Sequence, residues 1–267
     1  MSGIEIKVGK LFGSKKNVVI SALDHVMEYG YQPGIEDARG AIENCIDTDA
    51  LLLPRAMLER HSDMFKDRNA PLPVVRINWS SAFYYPLDYR SGFTTVATTV
   101  EEAVRAGAEA VICSLFLENM NEAMETDNVR VFSEVVREKE KLGIPLIGEC
   151  YVVEHKEMSP DELHNKVKRV TRIMVELGAD LIKCFYTKDF DKIVSNLPVP
   201  AFTIGAEKLS NDLDVLKKAS DSVASGARGI IFGRNIFMAD KPKELIAALN
   251  RVINNGENPE SAYERLK

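Results

Sequence analysis

The sequence predicts an α/β fold, a single-domain (β/α)8 TIM barrel spanning residues 1–267, and three observations carry that prediction. Eight apolar runs follow one another at regular intervals. Amphipathic stretches with helical spacing lie between them. A short junction of helix end, Gly-Ala, polar residue and buried strand recurs as RAGAEAVI, ELGADLIK and ASGARGII. Eight βα units in about 260 residues is the usual size of such a barrel.

The strands are expected in VVISALDH (18–25), ALLLPRAM (50–57), LPVVRIN (72–78) and AVICSLF (110–116). The series continues with PLIGECY (145–151), LIKCFY (181–186), VPAFTIG (199–205) and GIIFGRN (229–235). Most are nearly all apolar, as parallel strands covered on both faces must be. Helices are expected in TTVEEAVRAG, VRVFSEVVREKEKLG, SPDELHNKVKRVTRIMVELG, SNDLDVLKKASDSVASG and DKPKELIAALNRVINNG. Ser159 before Pro160, and Thr99 three residues before Glu102, read as N-caps. Gly107, Gly143, Gly178, Gly226 and Gly256 suit the position just past a helix end. The sixth and seventh strands begin close together, so the helix between them, around 189–196, must be short. A doubly wound open sheet uses the same βα unit. The count of eight, and a first βα turn (LDHVMEYG) without GxGxxG, favour the barrel. The segment NWSSAFYYPLDYRSGF is long and aromatic, fit to cover the barrel mouth or a subunit contact.

Composition excludes several functions. With 34 Lys+Arg against 40 Asp+Glu the net charge is −6, which argues against broad nucleic-acid binding. An anionic substrate must therefore be held by a local group of donors. No apolar run approaches the roughly 18 residues of a membrane span. The N-terminal MSGIEIKVGKLFGSKKNVVI lacks the apolar core of a signal peptide, so the expected compartment is the cytoplasm. Cys45, Cys113, Cys150 and Cys184 form no CxxC pair and read as buried free thiols. The four histidines make no HxH or HExxH pair, so neither a metal nor another cofactor is expected.

In a barrel of this kind chemistry gathers at the C-terminal ends of the strands. The polar residues there are Asp24 and His25, Arg55, Arg76 and Asn78, Glu149 and Tyr151, Lys183, Gly205, and Gly233 with Arg234. Lys183 stands between Ile182 and Cys184, where a lysine is out of place unless something uses it. It is either the ion-pair partner of a strand-end acid such as Glu149 or Asp24, or a nucleophile whose neutral amine attacks a carbonyl. Tyr151, two residues past Glu149 and on the same face, is either a rim tyrosine or a proton carrier. Asp24 is either a base or a cap or salt-bridge residue. His25, adjacent, points the other way on a strict strand, towards packing or capping. TIGAEK and FGRNIF place glycines just after the last two strands. That suits either a tight βα connection or a phosphate cradle to which Arg234 adds a charged donor.

These segments resemble a known family. ALDH, GADLIKCFYT, PVPAFTIGAEK and GARGIIFGRNIF are similar to the archaeal-type class I fructose-bisphosphate aldolases of the deoxyribose-phosphate aldolase superfamily. That group also includes aminodideoxyheptulosonate synthases and the thiolase acting on a phosphorylated autoinducer-2 breakdown product, which the C-terminal INNGENPESAYERL also resembles. The resemblance covers nearly the whole chain. It implies that Lys183 forms a Schiff base with a phosphorylated ketose or ketone, with no metal. It makes Tyr151 the proton-transferring acid/base and Asp24 an aid to carbinolamine formation. Gly205, Ala206, Gly233, Arg234 and Arg55 are the expected phosphate and substrate contacts. A homo-oligomeric ring, such as a decamer, is implied as well. The chain departs from the family in three places. CYVVEH keeps the Tyr of the family's Met-Tyr-Pro-Arg-Gly pattern but loses Pro-Arg-Gly. IGAEK puts Ala206 where a second glycine is usual. The aromatic segment after the third strand is longer. Two rivals follow: the same lysine passing an acyl group from a phosphorylated diketone to coenzyme A, and a sugar-phosphate-binding barrel without catalysis.

Overall fold

The computed structural model describes residues 2–87, 89 and 92–267, with backbone only at 85 and 86. Eight parallel strands close into a barrel, labelled here in chain order. They are β1 (Val18–Ala22), β2 (Ala50–Pro54), β3 (Leu72–Arg76), β4 (Ala110–Ser114), β5 (Leu146–Cys150), β6 (Leu181–Cys184), β7 (Ala201–Ile204) and β8 (Gly229–Phe232). Each lies within one of the eight expected runs. The order is closed, with β8 returning to β1 through pairs from Val18↔Gly229 to Ser21↔Phe232, so the open-sheet alternative is excluded. Gly229 makes that seam possible. Its φ of 139° is strained for any L side chain, and a Cβ there would sit 2.1 Å from the Val18 carbonyl oxygen.

The expected helix signals are in place. Thr99 and Ser159 form complete capping boxes with Glu102 and Glu162. The five glycines expected past helix ends all have positive φ. Between β6 and β7 there is indeed only a short helix, Phe190–Val194. Several elements were not expected, among them the helices Ala38–Asn44, Arg55–Arg60 and Pro259–Glu264 and, most consequentially for the barrel, the helix Ser2–Phe12. Its Val8, Leu11 and Phe12 pack on the barrel's inner residues, and the Phe12 ring stacks on Phe202 at 6.1 Å. It therefore plugs the end of the barrel opposite the strand C-termini.

Strand alternation separates two cores. Val19, Leu51, Leu53, Val75 and Val111 face the surrounding helices, whereas Ile20, Leu52, Val74, Ile112, Ile147, Leu181, Phe202 and Ile231 fill the barrel. One alternation further along β3, β4, β5 and β6, the interior becomes polar: Arg76, Ser114, Glu149 and Lys183 follow Val74, Ile112, Ile147 and Leu181. The long segment after β3 does reach over this end. Asn78–Ser80 and Thr94–Val96 pair as an antiparallel hairpin around a 3-10 helix, Ser81–Leu87, whose Phe83 is buried against Phe116, Tyr29 and Tyr151. Residues 88, 90 and 91 and the side chains of 85 and 86 from that expected cover lie outside the described residues.

Candidate active site

The register of three neighbouring strands assembles the polar end of the barrel. Ser114 is paired with Glu149, and Glu149 with Lys183, so their side chains adjoin on the inner face. The Lys183 Nζ lies 2.5 Å from Glu149 Oε1. The other carboxylate oxygen, Oε2, accepts from Arg76 Nη1 at 2.6 Å and from the Ser114 hydroxyl. Arg76 is wholly buried and spends its remaining edge on two more carboxyls. Its Nε donates to Asp24 Oδ2 at 2.8 Å, and its Nη2 lies 2.7 Å from Asp24 and 2.9 Å from Glu28. Two cations thus face three carboxyl groups in a space closed to water, and each group's ionisation depends on the others.

The shifts follow from that arrangement. Burial alone would raise the Glu149 carboxyl, but Arg76 and then Lys183 outweigh it and hold Glu149 well below the usual carboxylate range. Glu28 goes the other way: burial, reinforced by the charge of Asp24, lifts it well above an ordinary glutamate despite Arg76. Burial lowers His25 to about 4, with Lys183 and Arg234 adding to the effect and Asp24 opposing it, so its imidazole is neutral at pH 7. Burial, and after it the neighbouring Tyr151 to which it hydrogen-bonds, raises the Tyr29 phenol. Burial also pushes Cys45, Cys113 and Cys150 up to about 12, as befits inert thiols.

Above the cluster lies a narrow cavity whose free space, about 30 Å³, is room for a water or two. Lys183, Tyr151, Gly205, Ala206, Gly233 and Arg234 all line it, so six of the eight residues singled out in the sequence meet at one place. Asp24 stands beneath them, held by Arg76. Arg55 is not brought to the cavity. It opens the helix Arg55–Arg60 and pairs with Glu59 one turn on, at 2.9 Å. His25 lines the cavity, contrary to the strand-alternation argument, because β1 ends at Ala22 and the chain turns into the helix His25–Tyr29. A Cβ on Gly233 would approach His25 Cε1 to 2.1 Å, so a side chain there would push the imidazole aside.

Arg76 was among the strand-end polar residues of the sequence but was given no role there, and Glu28 was not singled out at all. Arg76 carried the signal that marked Lys183, a cation inside an apolar strand run, whereas Glu28 and Tyr29 follow the strand end in a helical turn and carried none. Among the described residues no group of three or more His, Cys, Asp or Glu could hold a metal ion, and no helix is long and apolar enough to cross a membrane.

The comparisons with known proteins agree with this geometry. Residues 18–239 match the family model described as DeoC/LacD family aldolase. An uncharacterised aldolase of Saccharolobus solfataricus is 30% identical over 274 residues, covering 100% of both chains. The 2-amino-3,7-dideoxy-D-threo-hept-6-ulosonate synthase 1 of Archaeoglobus fulgidus is 27% identical over 99% of this chain and 96% of its own. Among solved structures, an archaeal fructose-1,6-bisphosphate aldolase with its catalytic Lys covalently bound to the carbinolamine intermediate superimposes with a TM-score of 0.77. It is 23% identical, and the match covers 93% of this chain and 98% of that one.

Proposed function

Since the chain belongs to the DeoC/LacD family of aldolases, we propose that it is a class I aldolase that makes or breaks a C–C bond in a phosphorylated ketose through an iminium on Lys183. The observation that carries this reading is the placement of Lys183: its amine lines the cavity while its charge is matched at 2.5 Å by a carboxylate that stays ionised.

The chemistry follows from that pair. Once Lys183 has released a proton to solvent, its amine adds to the substrate carbonyl and gives a carbinolamine. The Tyr151 hydroxyl protonates the departing hydroxyl, which leaves as water, and a protonated imine remains. Glu149 is too strongly held by Arg76 to serve as the proton acceptor. It is the standing counter-ion, pairing first with the ammonium and then with the iminium that replaces it. Tyr151, left as the phenolate by that step, removes the proton from the substrate's aldol hydroxyl and is a phenol again. The C–C bond then breaks with its electron pair moving into the iminium. Asp24 acts through Arg76 rather than at the reacting carbon, and Gly205, Ala206, Gly233 and Arg234 form the wall that receives the phosphate.

The structure of the archaeal aldolase, whose lysine carries the carbinolamine, supports assigning that step to Lys183. Burial of all four cysteines as free thiols suits a reducing compartment such as the cytoplasm. The homo-oligomer belongs to the same proposal and is checked by a solution mass from light scattering.

The test is mass spectrometry after incubation with dihydroxyacetone phosphate and sodium borohydride, with Lys183→Ala as control. A reduced adduct mapped to Lys183, absent from the variant, is expected. No adduct with this ketone, with fructose 1,6-bisphosphate or with a phosphorylated diketone would leave a binding barrel without catalysis. Product formation only in the presence of coenzyme A would instead make the chain an acyltransferase.

A further inference from the structure

The wall that would receive the phosphate already holds an anion of the protein's own. Glu207 follows Ala206 in the turn after β7, and its Oε2 lies 3.1 Å from Arg234 Nη1. Arg234 Nη2 donates to the Ala206 carbonyl at 2.9 Å, while Nε is buried with no partner. The guanidinium is therefore engaged through both Nη atoms, and its unpaired Nε is buried. The turn itself is stapled: Asn235 Nδ2 donates to the carbonyls of Gly205 and Glu207, and its Oδ1 accepts from Leu209 N at 2.8 Å. Only the Glu207 side chain is left to move. Its other oxygen already rests on a second cation: Oε1 lies 3.0 Å from Lys156 Nζ, and Lys156 belongs to the loop after β5 on the outer rim, where its side chain is 56% exposed.

We propose that Glu207, which bridges Arg234 and Lys156, is a resident competitor of the substrate's phosphate and must release Arg234 and rest on Lys156 alone before a phosphate can dock. Glu207 thereby sets how strongly this barrel prefers phosphorylated over unphosphorylated ketones. The inference rests on the aldolase reading above for the identity of the ligand. Both Nη atoms of the Arg234 guanidinium are already engaged, by Glu207 and by the Ala206 carbonyl, and Nε is buried, so a phosphate docking on Nη1 competes with the Glu207 carboxylate. An unphosphorylated ketone can reach Lys183 with the Glu207–Arg234 pair intact, whereas a phosphorylated one has to break it.

The experiment is calorimetric titration of the full chain with inorganic phosphate, alongside borohydride trapping with dihydroxyacetone and dihydroxyacetone phosphate. Glu207→Gln removes the competing charge and keeps the shape. It should bind phosphate roughly tenfold more tightly than the wild type, and shift trapping towards the phosphorylated ketone by a similar factor while trapping of dihydroxyacetone stays level. Lys156→Met deprives Glu207 of its second partner and should loosen phosphate binding. A merely structural role for Glu207 would move both ketones together. Equal phosphate affinity in wild type and Glu207→Gln, or no binding by either, overturns the proposal, as does tighter or unchanged binding in Lys156→Met. Failure of the wild type to form any Lys183 adduct is a separate result and counts against the aldolase reading.

Discussion

Ala206 stands where the family resemblance led one to expect a second glycine, and its backbone has the conformation a glycine would suit. With φ at 56° it occupies the left-handed region, where a Cβ crowds the following carbonyl at a cost of about 1–2 kcal/mol. The conformation is kept because it turns the Ala206 carbonyl to Arg234 Nη2 and leaves Glu207 facing the same guanidinium. Ala206→Gly removes the crowding but adds about 0.5–1 kcal/mol of chain entropy to the unfolded state. The net expectation is a gain of about 0–1.5 kcal/mol in urea unfolding; a variant less stable than wild type would show that the alanine is not strained. The sequence announced such residues unevenly. Lys183 stood out because a lysine among Ile182, Cys184 and Phe185 has no ordinary reason to be there, and Arg76 among Val74, Val75 and Ile77 carried the same mark. The opposition of Glu207 to Arg234 depends on two turns meeting in space, which no spacing along the chain records.

Among the elements, the eight strands were legible because burial on both faces leaves parallel strands almost no polar residues, and caps and glycines punctuate what lies between. The helix Ser2–Phe12 was not, because Ile4, Ile6 and Val8 alternate with Glu5 and Lys7 in a strand-like period and Gly9 interrupts the run. Its stability comes from what it covers. Leu11 is buried beneath Val18, Ala50 and Leu52, and Arg228 lies over the Phe12 ring at 4.7 Å. A helix of this length is marginal alone, so its order depends on that contact. Leu11→Ala should cost about 2–4 kcal/mol, measured by urea denaturation, since the barrel's inner layer cannot collapse to fill the space. A cost under about 0.5 kcal/mol would mean that the helix is an ornament and that the barrel closes its own lower end.

Taken as a whole, the molecule buries a charged cluster where most barrels bury hydrocarbon, and this makes its stability depend on pH in a way that separates the members of the cluster. His25 has a folded value of about 4 against about 6.5 in an unfolded chain, so between those values the unfolded state binds more protons. The stability contributed by the neutral imidazole is complete above about pH 6.5 and is lost as the pH falls towards 4. Glu28, raised by burial, acts in the opposite sense: stability falls as the pH rises above the ordinary carboxylate value. Glu149, depressed by Arg76 and Lys183 against the effect of burial, holds its contribution until the pH drops below the ordinary carboxylate value. Opposed slopes would blur a single unfolding curve, but a difference between variants isolates one group. The groups facing His25 are Asp24, Lys183, Arg234 and Glu149, and all remain in His25→Asn. Urea unfolding of wild type and His25→Asn at pH 7 and at pH 4.5 should therefore show the variant gaining on the wild type by about 2–3 kcal/mol at the lower pH. A difference that does not change with pH would mean that the imidazole titrates as it does in an unfolded chain. Water would then have to enter beside Gly233, and the low-dielectric surroundings that make the Lys183–Glu149 pair a working counter-ion arrangement would be absent.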